Sequence, residues 1–167
     1  FQIKLINKFV LRSFFHAIGV SLWFYSMTVI TIAEVTAIGY LTPIFVCIGA
    51  IILFKENIKG FRAFAITLSF IGAMIILRPG FQEIKLGQYS MLLAAFVFSF
   101  SYLMVKYLAE TKSSLEIVGY LSLFTTIFLT PLALINWVEL NKYQTSIIIL
   151  ISIIATLGHL TMTMAIK

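Results

Sequence analysis

Between its neighbouring charged residues the chain leaves six neutral intervals: 13–33, 35–54, 63–77, 86–105, 117–138 and 143–166. Five of them hold 20 to 24 residues. A helix rising about 1.5 Å per residue needs roughly that many to cross ~30 Å of hydrocarbon. The interval 63–77 holds 15 residues, or roughly 22 Å of helix. Arg62 and Arg78 bound it, and their long side chains can reach the headgroups from its ends. Composition agrees with that solvent. Charged residues make up 11% and hydrophobic ones 61% of the 167, against about 25% and 45–50% in a soluble domain. Too few charges remain to clothe a water-soluble surface. The pattern predicts an all-α polytopic membrane protein with six transmembrane helices, over about 13–33, 35–54, 62–78, 86–106, 116–138 and 144–166.

The net charge of +6 is distributed by side rather than gathered in a patch. If the six helices alternate in direction, Lys4, Lys8, Arg12, Lys55, Lys59, Arg62, Lys106, Lys112 and Lys167 fall together, and Arg78, Lys85 and Lys142 fall opposite. Cytoplasmic loops carry the excess of Lys and Arg, so residue 1 is expected on the cytoplasmic side of a cell (inner) membrane. No basic–aromatic cluster suited to single strands appears, and no nucleic-acid partner is expected. Lys4, Lys8 and Arg12 share one helical face, which suits an interfacial lead-in to the first span; a solvated loop fits equally. The turn near Ile32–Val35 is short enough to make spans one and two an antiparallel hairpin. The Arg78–Gly87 stretch, with Pro79-Gly80 as a turn signal, divides residues 1–80 from 81–167.

Chemistry-bearing constellations are missing from the sequence. All six acids are Glu, and none lies inside one of the six neutral intervals. There is no metal-ligand spacing, no paired-carboxylate site, no nucleophile–base pair and no glycine-rich phosphate loop. No metal and no cofactor is expected, and an enzyme is not. Cys47 is a lone cysteine within a span and reads as a small packing residue.

Two segments repeat weakly. Ile18-Gly19 with Tyr25-Ser26-Met27 resembles Leu157-Gly158 with Met164-Ala165-Ile166. The first lies in an outward span and the second in an inward one, as in an inverted repeat. The run AEVTAIGYLTPIFVCIGAIILFKENIKGFRAFAITLSFIGAMIILRPG, Ala33–Gly80, carries a family pattern. Glu34 stands ahead of small residues, Tyr40-Leu41-Thr42-Pro43 follows, and Glu56 ends the second span. Arg62 opens the third span and Arg78-Pro79-Gly80 closes it. In these features, and in GHLTMTMAIK at 158–167, the chain resembles the EamA-like branch of the drug/metabolite transporter superfamily. The resemblance implies ten spans in an inverted five-plus-five repeat, of which these six are numbers three to eight. Residues 1–80 are then the C-terminal part of the first repeat and 81–167 the N-terminal part of the second. On this reading the sequence is a fragment of a permease.

The resemblance also implies alternating access and a small organic substrate. Pro43 interrupts an otherwise continuous apolar run. It cannot donate to the Gly39 carbonyl, and that carbonyl must then face protein or a wet cavity. Thr36, Tyr40, Pro43 and Cys47 fall at i, i+4, i+7 and i+11, one helical stripe. This stripe is either a pathway-lining hinge or a packing kink. Ser152, Thr156, His159 and Thr163 form a second stripe, either lining or interhelical glue. Ser99, Tyr102 and Lys106 make a polar end to the fourth span. Thr36, Tyr40, Pro43, Tyr102, Thr156, His159 and Thr163 are the candidate pathway residues. Ala65, Ser69 and Ala73 recur every four residues and predict a smooth packing ridge. Ser122, Thr126 and Thr130 line up before Pro131, as packing or as a kink. Homodimerisation is left open by the sequence. The alternatives to transport are a non-transporting membrane interaction protein, which would lack a central polar cavity, and a membrane-embedded enzyme.

Overall fold

The computed structural model describes residues 2–55, 57, 60–77 and 84–166. Seven helices account for most of them, with no strand among the described residues. They are α1 Gln2–Val29, α2 Ile32–Gly39, α3 Thr42–Phe54, α4 Gly60–Leu77, α5 Leu86–Ala109, α6 Ser114–Ile135 and α7 Lys142–Ile166. Among the described residues, five stretches are long and apolar enough to cross a membrane: Leu5–Val29, Ile32–Phe54, Leu86–Ala109, Ser114–Ile135 and Lys142–Ile166. The second of these joins α2 and α3. α4 is shorter, with 18 residues or about 27 Å of helix. The protein is an all-α, multi-pass membrane protein.

The first helix begins earlier than its charge-free interval. Residues 2–12 are neither loop nor separate lead-in, because α1 runs unbroken from Gln2. It ends at Val29, and Thr31 starts the next helix by a reciprocal cap. The Thr31 hydroxyl accepts from the Glu34 N–H at 3.3 Å, and the Thr31 N–H donates to Glu34 Oε2 at 2.9 Å. The turn therefore lies at Ile30–Thr31, ahead of the expected Ile32–Val35. The same device opens α6, where Ser113 and Glu116 cap each other, and Asn141 with Gln144 opens α7. Helix N-termini have N–H groups without helical partners, and each such pair satisfies two of them. Glu34 and Glu116 thus bound neutral intervals for a local reason: each is the third residue of its helix. α3 stops at Lys55, whose left-handed backbone (φ 53°) returns its N–H to the Ala50 carbonyl.

The described residues form two compact units. In residues 15–103, a core of Ile30, Val35, Ile38, Leu41, Ala73, Met91 and Ala94 draws together the end of α1, α2, α4 and α5. Gly87 lets the start of α5 approach α1, since a Cβ there would lie 2.9 Å from Val29 Cβ. Gly19 does the same against the Phe98 ring, 2.7 Å from a notional Cβ. Close approach through glycine is how membrane helices gain packing contact without a hydrophobic driving force. Only Ala73 of the expected α4 ridge is buried; Ala65 and Ser69 are exposed. In the other unit, residues 1–14 and 104–167, Phe9, Val105, Leu108 and Ile117 form the core, and α6 packs on α7. Glu56, Lys59 and Arg78–Gly80 lie outside the described residues, as do Phe1 and Lys167.

Candidate functional site

The α2–α3 break is the most distinctive backbone feature of the Ile32–Phe54 span. The Leu41 N–H bonds the Ile38 carbonyl at 2.9 Å, a tight i→i+3 turn, and the helix restarts with Ile44 and Phe45 both donating to the Leu41 carbonyl. Pro43 stands in the first turn of α3. It is not an interior proline within one bent helix, as its place in the apolar run suggested. In a first turn the missing N–H is one that would lack a helical partner anyway, and the fixed φ suits the helix. Pro131 shows the contrasting case, because α6 continues through it to Ile135.

The break also changes the stripe. Tyr40 is 62% exposed and Cys47 only 5%, while Thr36 and Pro43 are exposed. The i, i+4, i+7 spacing from Thr36 and Tyr40 is not maintained across the break; on α3 itself Cys47 is buried although Pro43, four residues earlier, is exposed. The Thr36 hydroxyl donates to the Ile32 carbonyl at 2.8 Å. Tyr102, half-buried on α5, stacks on Phe98 at 6.3 Å between ring centroids. Thr36, Tyr40, Pro43 and Tyr102 all belong to the 15–103 unit.

The α7 candidates lie in the other unit. Their burial rises along the helix: Ser152 and Thr156 are exposed, His159 is half-buried and Thr163 is wholly buried. The hydroxyls of Thr156 and Thr163 return to the carbonyls of Ser152 and His159, at 2.8 and 2.7 Å. Such back-bonding satisfies a hydroxyl without a second helix. No group of three or more His, Cys, Asp or Glu among the described residues could hold a metal ion.

Two polar links went unnoticed in the sequence. Gln88 Nε2 donates to Glu34 Oε1 at 2.9 Å, tying the start of α5 to the start of α2. Arg12, 1% exposed, donates from Nη1 to the Ile117 carbonyl at 2.9 Å. Reading Arg12 only as a topological charge was therefore incomplete, since its guanidinium is buried against α6. Nearby, Lys8 lies over the Tyr107 ring, 3.7 Å from its centroid, and reaches the hydroxyl. The Thr-x-x-Glu spacing before an apolar run signals the cap that positions Glu34. Nothing in the sequence signals the burial of Arg12, which depends on a helix 105 residues away.

Comparison with known proteins supplies what geometry does not. Residues 2–78 match the EamA-like transporter family. The chain is 34% identical over 143 residues to a riboflavin transporter of Vibrio cholerae, covering 85% of this chain and 48% of that protein. It is 24% identical over 139 residues to an S-adenosylmethionine uptake transporter of Rickettsia prowazekii, covering 83% and 47%. It is 29% identical over 128 residues to a riboflavin transporter of Brucella anthropi, covering 77% and 44%. The chain spans about half the length of the curated relatives it matches. No solved structure matches it significantly.

Proposed function

The chain carries the EamA-like transporter domain over residues 2–78 and belongs to that family, and on this premise we propose that it serves a secondary transporter. The protein moves a small organic metabolite across the inner membrane by alternating access, without catalysing a covalent reaction. The observation that carries this reading is the similarity, across most of the chain, to proteins named for taking up or transporting riboflavin and S-adenosylmethionine. The membrane-length helices support it. Within residues 15–103, the exposed Thr36, Tyr40 and Pro43 and the half-buried Tyr102 are proposed pathway residues. Within the other unit, Thr156, His159 and Thr163 on α7 are proposed pathway residues. Residues 1–80 and 81–167 are proposed as parts of two inverted repeats. Uptake and efflux by cells expressing the complete protein, across a metabolite panel that includes riboflavin and S-adenosylmethionine, test the reading. No protein-dependent flux of any panel member overturns it.

The orientation follows from charge, with nine basic residues on one side and three on the other. Packing supports the alternation. The Glu34–Gln88 bond puts the starts of α2 and α5 on one side, and Lys8–Tyr107 and Arg12–Ile117 bring the N-terminal part of α1 to the end of α5 and the start of α6. A cysteine at Ile84 should react with an impermeant thiol reagent in intact cells, and one at Asn57 should not, with Cys47 replaced by alanine. The reverse pattern would sink the proposed orientation.

A further inference from the structure

Glu34 and Gln88 each divide two side-chain atoms between two tasks. On Glu34, Oε2 accepts from the Thr31 N–H and hydroxyl at 2.9 and 2.8 Å, and so caps α2. Its Oε1 accepts from Gln88 Nε2 at 2.9 Å. On Gln88, Oε1 accepts from the Lys85 N–H at 3.0 Å, and so caps α5. Only Nε2 reaches across. Parting α2 from α5 would therefore break this bond and leave both helix starts capped.

The helix that this bond holds is jointed at both ends. Thr31 is extended (φ −68°, ψ 151°), which stops helical bonding between α1 and α2. At the far end the Leu41 N–H turns back to the Ile38 carbonyl before α3 begins at Thr42. The eight residues Ile32–Gly39 are thus a self-contained helix. Among the described residues, the other hydrogen bonds of its side chains stay within the element and its cap. Below it the contact is apolar. Val35 and Ile38 share a core with Met91 of α5 and Ala73 of α4, and Met91 Cε would lie 3.3 Å from a Cβ placed on Gly39. Within a bilayer apolar faces are not driven together as they are in water, so a polar bond carries more of what holds α2 down.

We infer that α2 is a lid: a short helix that pivots at Ile30–Thr31 and at Tyr40–Leu41, and is latched shut on α5 by the Glu34–Gln88 bond. α4, which packs on α2, travels with it. The division of atoms makes the latch reversible, because opening it uncaps neither helix. The inference rests on the transporter reading for the purpose of the motion, but its test does not use transport.

The reporter is Met91→Cys in the complete protein, purified into nanodiscs that leave both faces open, with every other cysteine replaced by alanine. Met91 is 4% exposed and belongs to the core beneath α2. Its rate of reaction with a charged methanethiosulfonate is measured at pH 8, where carboxylates are ionised. Gln88→Glu keeps an oxygen for the Lys85 N–H but sets a second carboxylate against that of Glu34. Like charges repel, and the rate should rise about tenfold. Adding Glu34→Gln to Gln88→Glu restores a donor and an acceptor with their places exchanged. The amide at 34 still offers its oxygen to Thr31, and the rate should return to within about twofold of its starting value. Val105→Cys, wholly buried in the core of the other unit, should stay unreactive throughout. A Met91→Cys rate that ignores Gln88→Glu, or that the exchange does not restore, overturns the lid. So does a parallel rise at Val105→Cys, which would make the exposure global unfolding. Flux without latch-dependent reactivity contradicts the lid alone; latch-dependent reactivity without flux contradicts the transporter reading alone.

Discussion

Replacing Pro43 with alanine is expected to cut transport by roughly tenfold, equivalent to about 1.4 kcal/mol of lost transition-state stabilisation, while the protein stays folded. α2 ends at Gly39 and α3 starts at Thr42, so helical bonding is interrupted over two residues. An alanine at position 43 restores an N–H able to bond the Gly39 carbonyl and favours one continuous helix through Tyr40 and Leu41. Pro43 occupies a first turn, where proline is well tolerated. The stability change should therefore stay within about 1 kcal/mol, well short of the ~3 kcal/mol that an interior proline costs. Hinge positions that absorb backbone change commonly alter turnover and apparent affinity together. Tyr40→Phe probes the same exposed surface without touching the backbone. It should change apparent substrate affinity while leaving thermal stability unmoved. Full transport by Pro43→Ala, or loss explained by unfolding, would make the break a packing feature only.

Glu34→Ala should lower thermal stability by about 2 kcal/mol. One carboxylate accepts from the Thr31 N–H and hydroxyl at 2.9 and 2.8 Å, and from Gln88 Nε2 at 2.9 Å. Thr31 remains as N-cap, and losing the reciprocal half of the capping box costs ~1 kcal/mol. The interhelical bond adds somewhere between ~0.6 kcal/mol, usual in membranes, and ~1.5 kcal/mol for a charged partner. Gln88 in turn accepts from the Lys85 N–H at 3.0 Å, so removal of Glu34 loosens the starts of both α2 and α5. A double-mutant cycle with Gln88→Ala separates the two contributions. A coupling energy near zero would show that Glu34 acts only as a local cap.

Helix existence was legible because hydrocarbon imposes it. A neutral stretch of membrane length has few alternatives to a helix, and five of the six expected spans have the length and apolar character to cross. Boundaries were less legible wherever charge was taken as the helix end. Lys4, Lys8 and Arg12 lie on α1 rather than before it, and tertiary partners at Tyr107 for Lys8 and Ile117 for Arg12 let helix and charge coexist. The Ile30–Thr31 turn was readable from Thr31-x-x-Glu34. The α2–α3 break is half-readable: proline marks the place, but helical spacing does not give burial, and Cys47 is buried while Pro43, four residues earlier on α3, is exposed. Of the candidate residues, chemistry was visible and environment was not. Thr156 and Thr163 have the same side chain and the same back-bonding, yet one is exposed and the other wholly buried, a difference set by neighbouring helices.

Alternating access itself is tested most directly by solute counterflow with the complete, purified protein in proteoliposomes. Vesicles loaded with a high concentration of the panel substrate are diluted into a trace of the labelled compound. An alternating-access carrier returns loaded with label each time it exports unlabelled substrate, so label should accumulate transiently above its external concentration and then decay. The overshoot should vanish without internal substrate and shrink in Pro43→Ala. Label that rises monotonically to equilibrium, regardless of internal loading, would contradict the account and point to a passive pore.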